Sequence, residues 1–341
     1  MRIAIVGGGN FGTAIGNIVA ANGHQTSLWM RDLDQVNETL RHGENVRYLP
    51  GHPLEKLLVP TNDLEEAVAE AEIVFVTVPS SGFLDICKNL APFIRNSDLM
   101  VSGTKGIEPQ GFRLMSQLMS QYTTAEHVGV LSGPNFAEEI AEQQYTGTVL
   151  ASKSEELKQS VQDVLRSETF RVYLSQDTFG VELGGALKNI YAIICGMAVG
   201  LEVGQNTIGM IVTRSLAEMS RFAVSMGANP YTFLGLSGVG DLMVTCTSPL
   251  SRNYQLGYKI AQGMSFEDAS DELGKLAEGA NTLAQVYEKS RELEVYMPLA
   301  AGLHQILFSK EKTGLIFRAL MERIEESDVE FAEPSYWSGG S

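Results

Sequence analysis

Residues 2 to 21 read Arg2-Ile-Ala-Ile-Val-Gly-Gly-Gly-Asn-Phe-Gly-Thr-Ala-Ile-Gly-Asn-Ile-Val-Ala-Ala21, an apolar run that passes through glycines into a helical pattern. Gly7, Gly9 and Gly12 stand at G-x-G-x-x-G spacing, and the strand–turn–helix setting gives that spacing its meaning. Ile3 to Val6 form a buried strand and Gly7 permits a tight turn. Gly9 lets backbone approach a pyrophosphate, and Gly12 lets the helix pack against the strand with its free N–H groups aimed at phosphate. The reading is a dinucleotide site, and it leaves the reaction open.

The chain has 341 residues, 44% hydrophobic and 19% charged, enough for two domains with separate cores. A net charge of −16 disfavours nucleic acid or an anionic membrane as partner and requires local positive charge wherever an anionic substrate binds. Cys87, Cys195 and Cys246 are far apart, which suits a reducing cytoplasm and argues against a structural metal. The first residues form a strand and turn rather than a signal peptide. Leu183 to Leu201 is nearly all apolar or small, with Lys188 its one charge. A lysine at mid-bilayer costs about 3 kcal/mol, so this stretch reads as a buried core helix rather than a membrane span.

Organisation follows from periodicity. Strands are expected at His24 to Met30, Ile73 to Val78, Leu99 to Ser102, Val128 to Leu131, Thr148 to Ala151 and Arg171 to Leu174. A helix is expected at Leu64 to Glu72, capped by Asn62 or Asp63. Such alternation predicts an α/β fold, a Rossmann-type doubly wound parallel sheet. Beyond Asp177 helical periodicity takes over, at Thr178 to Leu201, Ile208 to Met226, Asn253 to Gln262, Ser265 to Leu273 and from Gly279 onward. The expected division is therefore a dinucleotide-binding domain at 1–176, an all-α substrate and catalytic domain at 177–335, and a tail at 336–341.

In open α/β sheets ligands bind beyond the carboxyl ends of the strands. Lys105, in Gly103-Thr-Lys-Gly106, the run Ser132-Gly-Pro-Asn-Phe-Ala-Glu138 and Pro79-Ser-Ser81 stand at three such ends. Lys188 lies within Glu182-Leu-Gly-Gly-Ala-Leu-Lys188-Asn189, on a helix too apolar to face water. A buried ammonium without partners is expensive. Desolvation or a nearby cation such as Lys105 would favour the neutral amine, a proton acceptor; the structural alternative is an ion pair with Glu182. Ser237-Gly-Val-Gly-Asp241 suggests unusual backbone presenting Asp241. Ser251-Arg-Asn253 opens a helix after Pro249 and offers a fork of donors to a phosphate, or simply a cap. No Tyr-x-x-x-Lys pair occurs, and the histidines avoid the helical half except His304, so a lysine base remains.

These motifs together resemble the cytoplasmic NAD(P)-dependent glycerol-3-phosphate dehydrogenases along nearly the whole chain. The matching runs are Gly7-Gly-Gly-Asn-Phe-Gly-Thr-Ala14, Tyr48-Leu-Pro-Gly51, Lys105-Gly-Ile-Glu108, Gly133-Pro-Asn-Phe-Ala-Glu-Glu139 and Val181-Glu-Leu-Gly-Gly-Ala-Leu-Lys-Asn-Ile-Tyr-Ala192. Gly240-Asp-Leu242, Ser251-Arg-Asn253 and Glu278-Gly279 complete the set. The resemblance implies Lys188 as proton acceptor, with Lys105 and Asp241 around the substrate. Gly133, Asn135, Asn189, Thr245, Ser251, Arg252 and Asn253 would join them in holding glycerol 3-phosphate or dihydroxyacetone phosphate. Gly7, Gly9, Asn10, Phe11, Gly12, Arg31, Lys105, Ala137, Arg252, Leu276 and Glu278 would line the cofactor. It also implies a homodimer and supply of a phospholipid precursor. Departures are Asn135 for a usual serine or threonine, Tyr145 near a usual proline, and Leu276-Ala277 for a usual valine pair.

After the second strand Arg31 precedes Asp32; Arg31 would pair with a 2′-phosphate, favouring NADPH over NADH. Two other readings stay open. The β-hydroxyacid and 6-phosphogluconate dehydrogenases place an asparagine four residues after the lysine, where Ala192 stands here. A nucleotide sensor without catalysis would tolerate loss of Lys188.

Overall fold

The structure, a computed structural model, describes residues 1–109, 111–274, 278–309 and 313–321. The expected tail and Leu276 lie outside the described residues. The chain divides into two compact units: 1–186 with 235–241, and 187–234 with 242–341. The division falls inside the helix Thr178–Gly200, whereas the expected boundary lay just before that helix.

The first unit is built on one sheet of eight strands, β1 (Arg2–Val6), β2 (Gln25–Trp29), β3 (Leu58–Thr61), β4 (Ile73–Val76), β5 (Leu99–Ser102), β6 (His127–Ser132), β7 (Thr146–Ser152) and β8 (Phe170–Ser175), in the order β3-β2-β1-β4-β5-β6-β7-β8. Its helices are α1 (Asn10–Ala21), α2 (Leu33–His42), α3 (Leu64–Val68), α4 (Ser80–Leu90), α5 (Met115–Tyr122), α6 (Ala137–Ala141) and α7 (Glu155–Leu165). Along β1 the side chains alternate between two cores: Ile3 and Ile5 join α1 and α7 residues, while Ala4 and Val6 join α3, α4 and α5 residues. Both faces are therefore covered, which is why the strands read as continuous apolar runs.

Three details differ from expectation. The sheet is parallel except at one pair, because β7 runs antiparallel to β6. The link from Ser132 to Thr146 carries only the short α6, so it returns the chain from the end where β6 finished; a parallel partner needs a crossover spanning the sheet. The strand β3 was unforeseen, since Pro60 interrupts its pattern; proline is tolerated there because β3 is an edge. The helix expected to reach Glu72 ends at Val68, because a turn at Ala71 and the strand β4 take over at once. Asp63 caps it, accepting from Glu66 N–H at 3.0 Å.

The second half of α8 (Thr178–Gly200) opens the other unit. It continues through α9 (Gln205–Ser225), α10 (Asp241–Thr247), α11 (Arg252–Ala261), α12 (Phe266–Glu272), α13 (Glu278–Glu292), α14 (Pro298–Phe308) and α15 (Thr313–Met321), with no strand among its described residues. The apolar run in α8 is long enough to cross a bilayer, yet 94% of its most apolar window is buried within the protein. α11 crosses α8 backbone to backbone. A Cβ on Gly257 would come 1.9 Å from the Ile193 carbonyl oxygen, so only glycine permits the approach.

Candidate active site

The glycine loop has the geometry its spacing predicts. Gly7 has φ +129°, and a Cβ there would lie 2.8 Å from the Thr77 carbonyl. A Cβ on Gly12 would lie 2.0 Å from the Gly7 carbonyl oxygen, whereas Gly9 faces open space. Gly9 precedes α1 as its N-cap and makes no side-chain cap; in the first turn Phe11 N–H donates to Asn10 Oδ1 at 2.8 Å. Three buried side chains hold the loop from behind. Gln35 Nε2 and Asn45 Nδ2 donate to the Gly8 carbonyl at 2.7 and 3.0 Å, and Asn45 Nδ2 also donates to Thr13 Oγ1 at 2.8 Å. Asn10 reaches Glu138 and Phe11 packs beside Gly103, so the loop lies over α6 and the end of β5. Ala137, the first residue of α6, is buried.

At the carboxyl end of β2 Arg31 is exposed. Asp32 caps α2 through Asp34 N–H and pairs with Arg47, Oδ2 to Nη1 2.6 Å. The Arg47 hydrogen bond and the backbone N–H hold the Asp32 carboxyl below its ordinary value. The acid here is thus occupied by the protein itself, and the arginine before it is left exposed.

Lys105, in the loop after β5, donates to the Gly133 carbonyl at 2.7 Å and to Asp241 Oδ2 at 2.8 Å. Asp241 is fully buried and Lys105 one-fifth exposed, so the ammonium is the member that water can reach. Gly238 and Gly240 carry no positive φ; instead Leu236–Gly240 forms a π-helical turn that ends on Asp241. Asn135, next to Gly133, spends its amide locally, donating to the Pro134 and Gly147 carbonyls and accepting from Thr148 Oγ1. Sequence reasoning missed Thr148, a buried strand residue that no motif marks.

In the second unit Lys188 is 6% exposed, and its Nζ donates to Thr245 Oγ1 at 2.8 Å. Glu182, the ion-pair partner considered from sequence, accepts instead from the backbone N–H and hydroxyl of Ser116. Burial pushes its carboxyl up to about 7. Asn189 and Asn253 come together at α13: Gly279 N–H donates to Asn253 Oδ1 at 2.9 Å, and a Cβ on Gly279 would lie 2.5 Å from the Asn189 carbonyl oxygen. Ser251 is the N-cap of α11 and accepts from Tyr254 N–H at 3.3 Å, with Arg252 half-buried behind it and Glu278 at the start of α13.

Residues 2–158 match the family described as NAD-dependent glycerol-3-phosphate dehydrogenase N-terminus, and residues 177–317 match its C-terminus. The chain is 53% identical over 331 residues to glycerol-3-phosphate dehydrogenase [NAD(P)+] of Pseudomonas syringae pv. tomato, covering 96% of both chains. It is 51% identical over 328 residues to the protein of that name from Saccharophagus degradans, covering 96% of this chain and 92% of the relative. The crystal structure of glycerol-3-phosphate dehydrogenase from Coxiella burnetii superposes with TM-score 0.91 at 33% identity, over 94% of this chain and 99% of that one. With both halves matched in order and relatives alike over almost their full length, the chain belongs to the NAD-dependent glycerol-3-phosphate dehydrogenase family.

Proposed function

We propose that this protein interconverts sn-glycerol 3-phosphate and dihydroxyacetone phosphate, with NADPH preferred, NADH tolerated, and Lys188 as the acid and base. The observation that carries the reading is the placement of Lys188: an amine almost fully withdrawn from water on an apolar helix, held by the hydroxyl of Thr245.

A nicotinamide dinucleotide held at the glycine loop would supply the hydride chemistry. Gly7, Gly9 and Gly12 leave backbone room for the pyrophosphate, Asn10, Phe11 and Ala137 frame it, and Arg31 offers its guanidinium to a 2′-phosphate. Glu278 and Arg252 complete the cofactor set by family resemblance.

In oxidation Lys188 accepts the proton of the secondary hydroxyl; in reduction it returns a proton to the forming alkoxide. Thr245 orients the amine. Lys105 brings positive charge toward the developing oxyanion, and Asp241 and the Gly133 carbonyl fix its direction. Arg252, Ser251 and Asn253, at the head of α11, and Asn189 bind and orient the phosphorylated substrate. Asn135, expected beside them, has its amide held by the Pro134 and Gly147 carbonyls and the Thr148 hydroxyl, so its part is to fix the backbone next to Gly133. In this chain of net charge −16 such cations confine positive potential to where an anion is needed.

A homodimer in the cytoplasm that feeds phospholipid synthesis fits this reading, and three buried free cysteines suit a reducing compartment. The test is NADPH oxidation by the purified protein with dihydroxyacetone phosphate, set beside NADP reduction with 6-phosphogluconate. Turnover in the first assay alone is expected; failure in both removes the proposal.

A further inference from the structure

We propose that Asn45, backed by Gln35, is a positioning residue for the cofactor: it turns the peptide between Gly8 and Gly9 so that the Gly9 N–H faces outward. The inference rests on the dinucleotide reading of the glycine loop and adds to it a side chain that no motif contains.

A trans peptide holds its C=O and N–H on opposite sides of one plane. Fixing the Gly8 carbonyl therefore fixes the Gly9 N–H. Two side-chain amides fix that carbonyl inward, Gln35 Nε2 at 2.7 Å and Asn45 Nδ2 at 3.0 Å. The second hydrogen of Asn45 Nδ2 goes to Thr13 Oγ1 at 2.8 Å, and Thr13 Oγ1 donates in turn to the Gly9 carbonyl at 2.8 Å. Both peptide units flanking Gly9 are thereby held from the protein side. Asn45 is completely buried, and Thr13 likewise, so water does not compete for these bonds. On the outer side Gly9 meets nothing within 4 Å of a built Cβ, and its N–H has no protein acceptor among the described residues. Glycine alone would leave this loop many conformations; the amide cluster selects the one in which the Gly9 N–H points away from the Gly8 carbonyl's partners, so less ordering is left for the moment of binding.

The alternative account is that Asn45 merely satisfies buried polar groups between α1, α2 and the 43–57 segment. The two accounts differ in what they move. A positioning role acts on the pyrophosphate donors, which NADPH and NADH share, and leaves the reacting carbon alone.

The test is fluorescence titration of NADPH and NADH onto purified full-length Asn45→Ala and Gln35→Ala, with thermal melting and steady-state rates on dihydroxyacetone phosphate. Asn45→Ala is expected to raise both dissociation constants about tenfold and by the same factor, to raise the cofactor KM in step, and to leave kcat at saturating cofactor within about twofold. Gln35→Ala, at the outer end of the cluster, is expected to raise both about threefold. Unchanged dissociation constants in a folded Asn45→Ala protein overturn the proposal, as does weakened binding of NADPH alone. Should Asn45→Ala fail to fold, Gln35→Ala decides: unchanged binding of both cofactors overturns it. Wild-type protein that binds neither cofactor would instead remove the dinucleotide reading beneath it.

Discussion

Lys105 Nζ lies 2.8 Å from Asp241 Oδ2, and the two residues are brought together from positions 136 apart in the chain. The carboxylate is buried and the ammonium partly hydrated, so the aspartate depends on the lysine more than the reverse. Asp241→Asn keeps the shape and removes the charge. It is expected to lower stability by about 2 kcal/mol in urea unfolding and to lower kcat/KM for dihydroxyacetone phosphate at least about tenfold. Wild-type kcat/KM in a folded variant would mean that the pair is purely structural.

Lys188→Met replaces the amine by an apolar chain of similar length. Because a general acid or base contributes about 10²–10⁴ in rate, kcat should fall by that factor. NADPH affinity should stay within twofold, and the melting temperature should not fall, since a buried polar amine is exchanged for a packed thioether. Single-turnover rates beside NADPH titration separate the two effects. More than a tenth of wild-type turnover removes the acid and base role.

Arg31→Ala addresses cofactor choice. The guanidinium is exposed and the neighbouring Asp32 is held by Arg47 and by α2. Loss of one charged hydrogen bond to a 2′-phosphate, about 1.5 kcal/mol, should lower kcat/KM for NADPH about tenfold and leave NADH within twofold. Equal losses with both cofactors would assign Arg31 another role.

Gly257→Ala tests how α11 is held. Its Cβ would enter the space of the Ile193 carbonyl, at 1.9 Å, with the Met197 backbone nitrogen 2.9 Å away. Neither backbone atom can move aside within a helix, so a loss of about 3 kcal/mol is expected in urea unfolding. Asn253 and Arg252 ride on the same helix, so substrate KM should rise as well.

Glu218 sets a pH dependence. It is 2% exposed, accepts from the Leu299 and Ala300 N–H groups at the start of α14, and receives the Tyr191 hydroxyl at 3.2 Å. Burial outweighs these bonds and pushes its carboxyl from 4.5 to about 7. Between those values the folded protein holds a proton that the unfolded chain has released, so this contribution is complete below pH 4.5 and is lost as pH rises through 7. Relative to Glu218→Gln, wild-type unfolding free energy should fall by about 3 kcal/mol from pH 4.5 to 7.5. Parallel curves for the two proteins would place the carboxyl near its ordinary value.

Sequence by itself determined the strand–glycine–helix entry, the alternation that builds a sheet covered on both faces, and the helical second half. It also marked Lys188 as an anomaly, because one charge in an apolar helix conflicts with its own surroundings. These features are local: periodicity, steric freedom and the cost of burying charge are properties of neighbouring residues. The reversed direction of β7, the proline-bearing edge β3 and the transfer of Glu182 from Lys188 to Ser116 were decided by tertiary structure. So were the amides of Gln35 and Asn45 behind Gly8 and the meeting of Lys105 with Asp241. A hydrogen bond across tens of residues leaves no periodic trace in the chain; it exists only after packing has excluded water and left each buried polar group to find its partner.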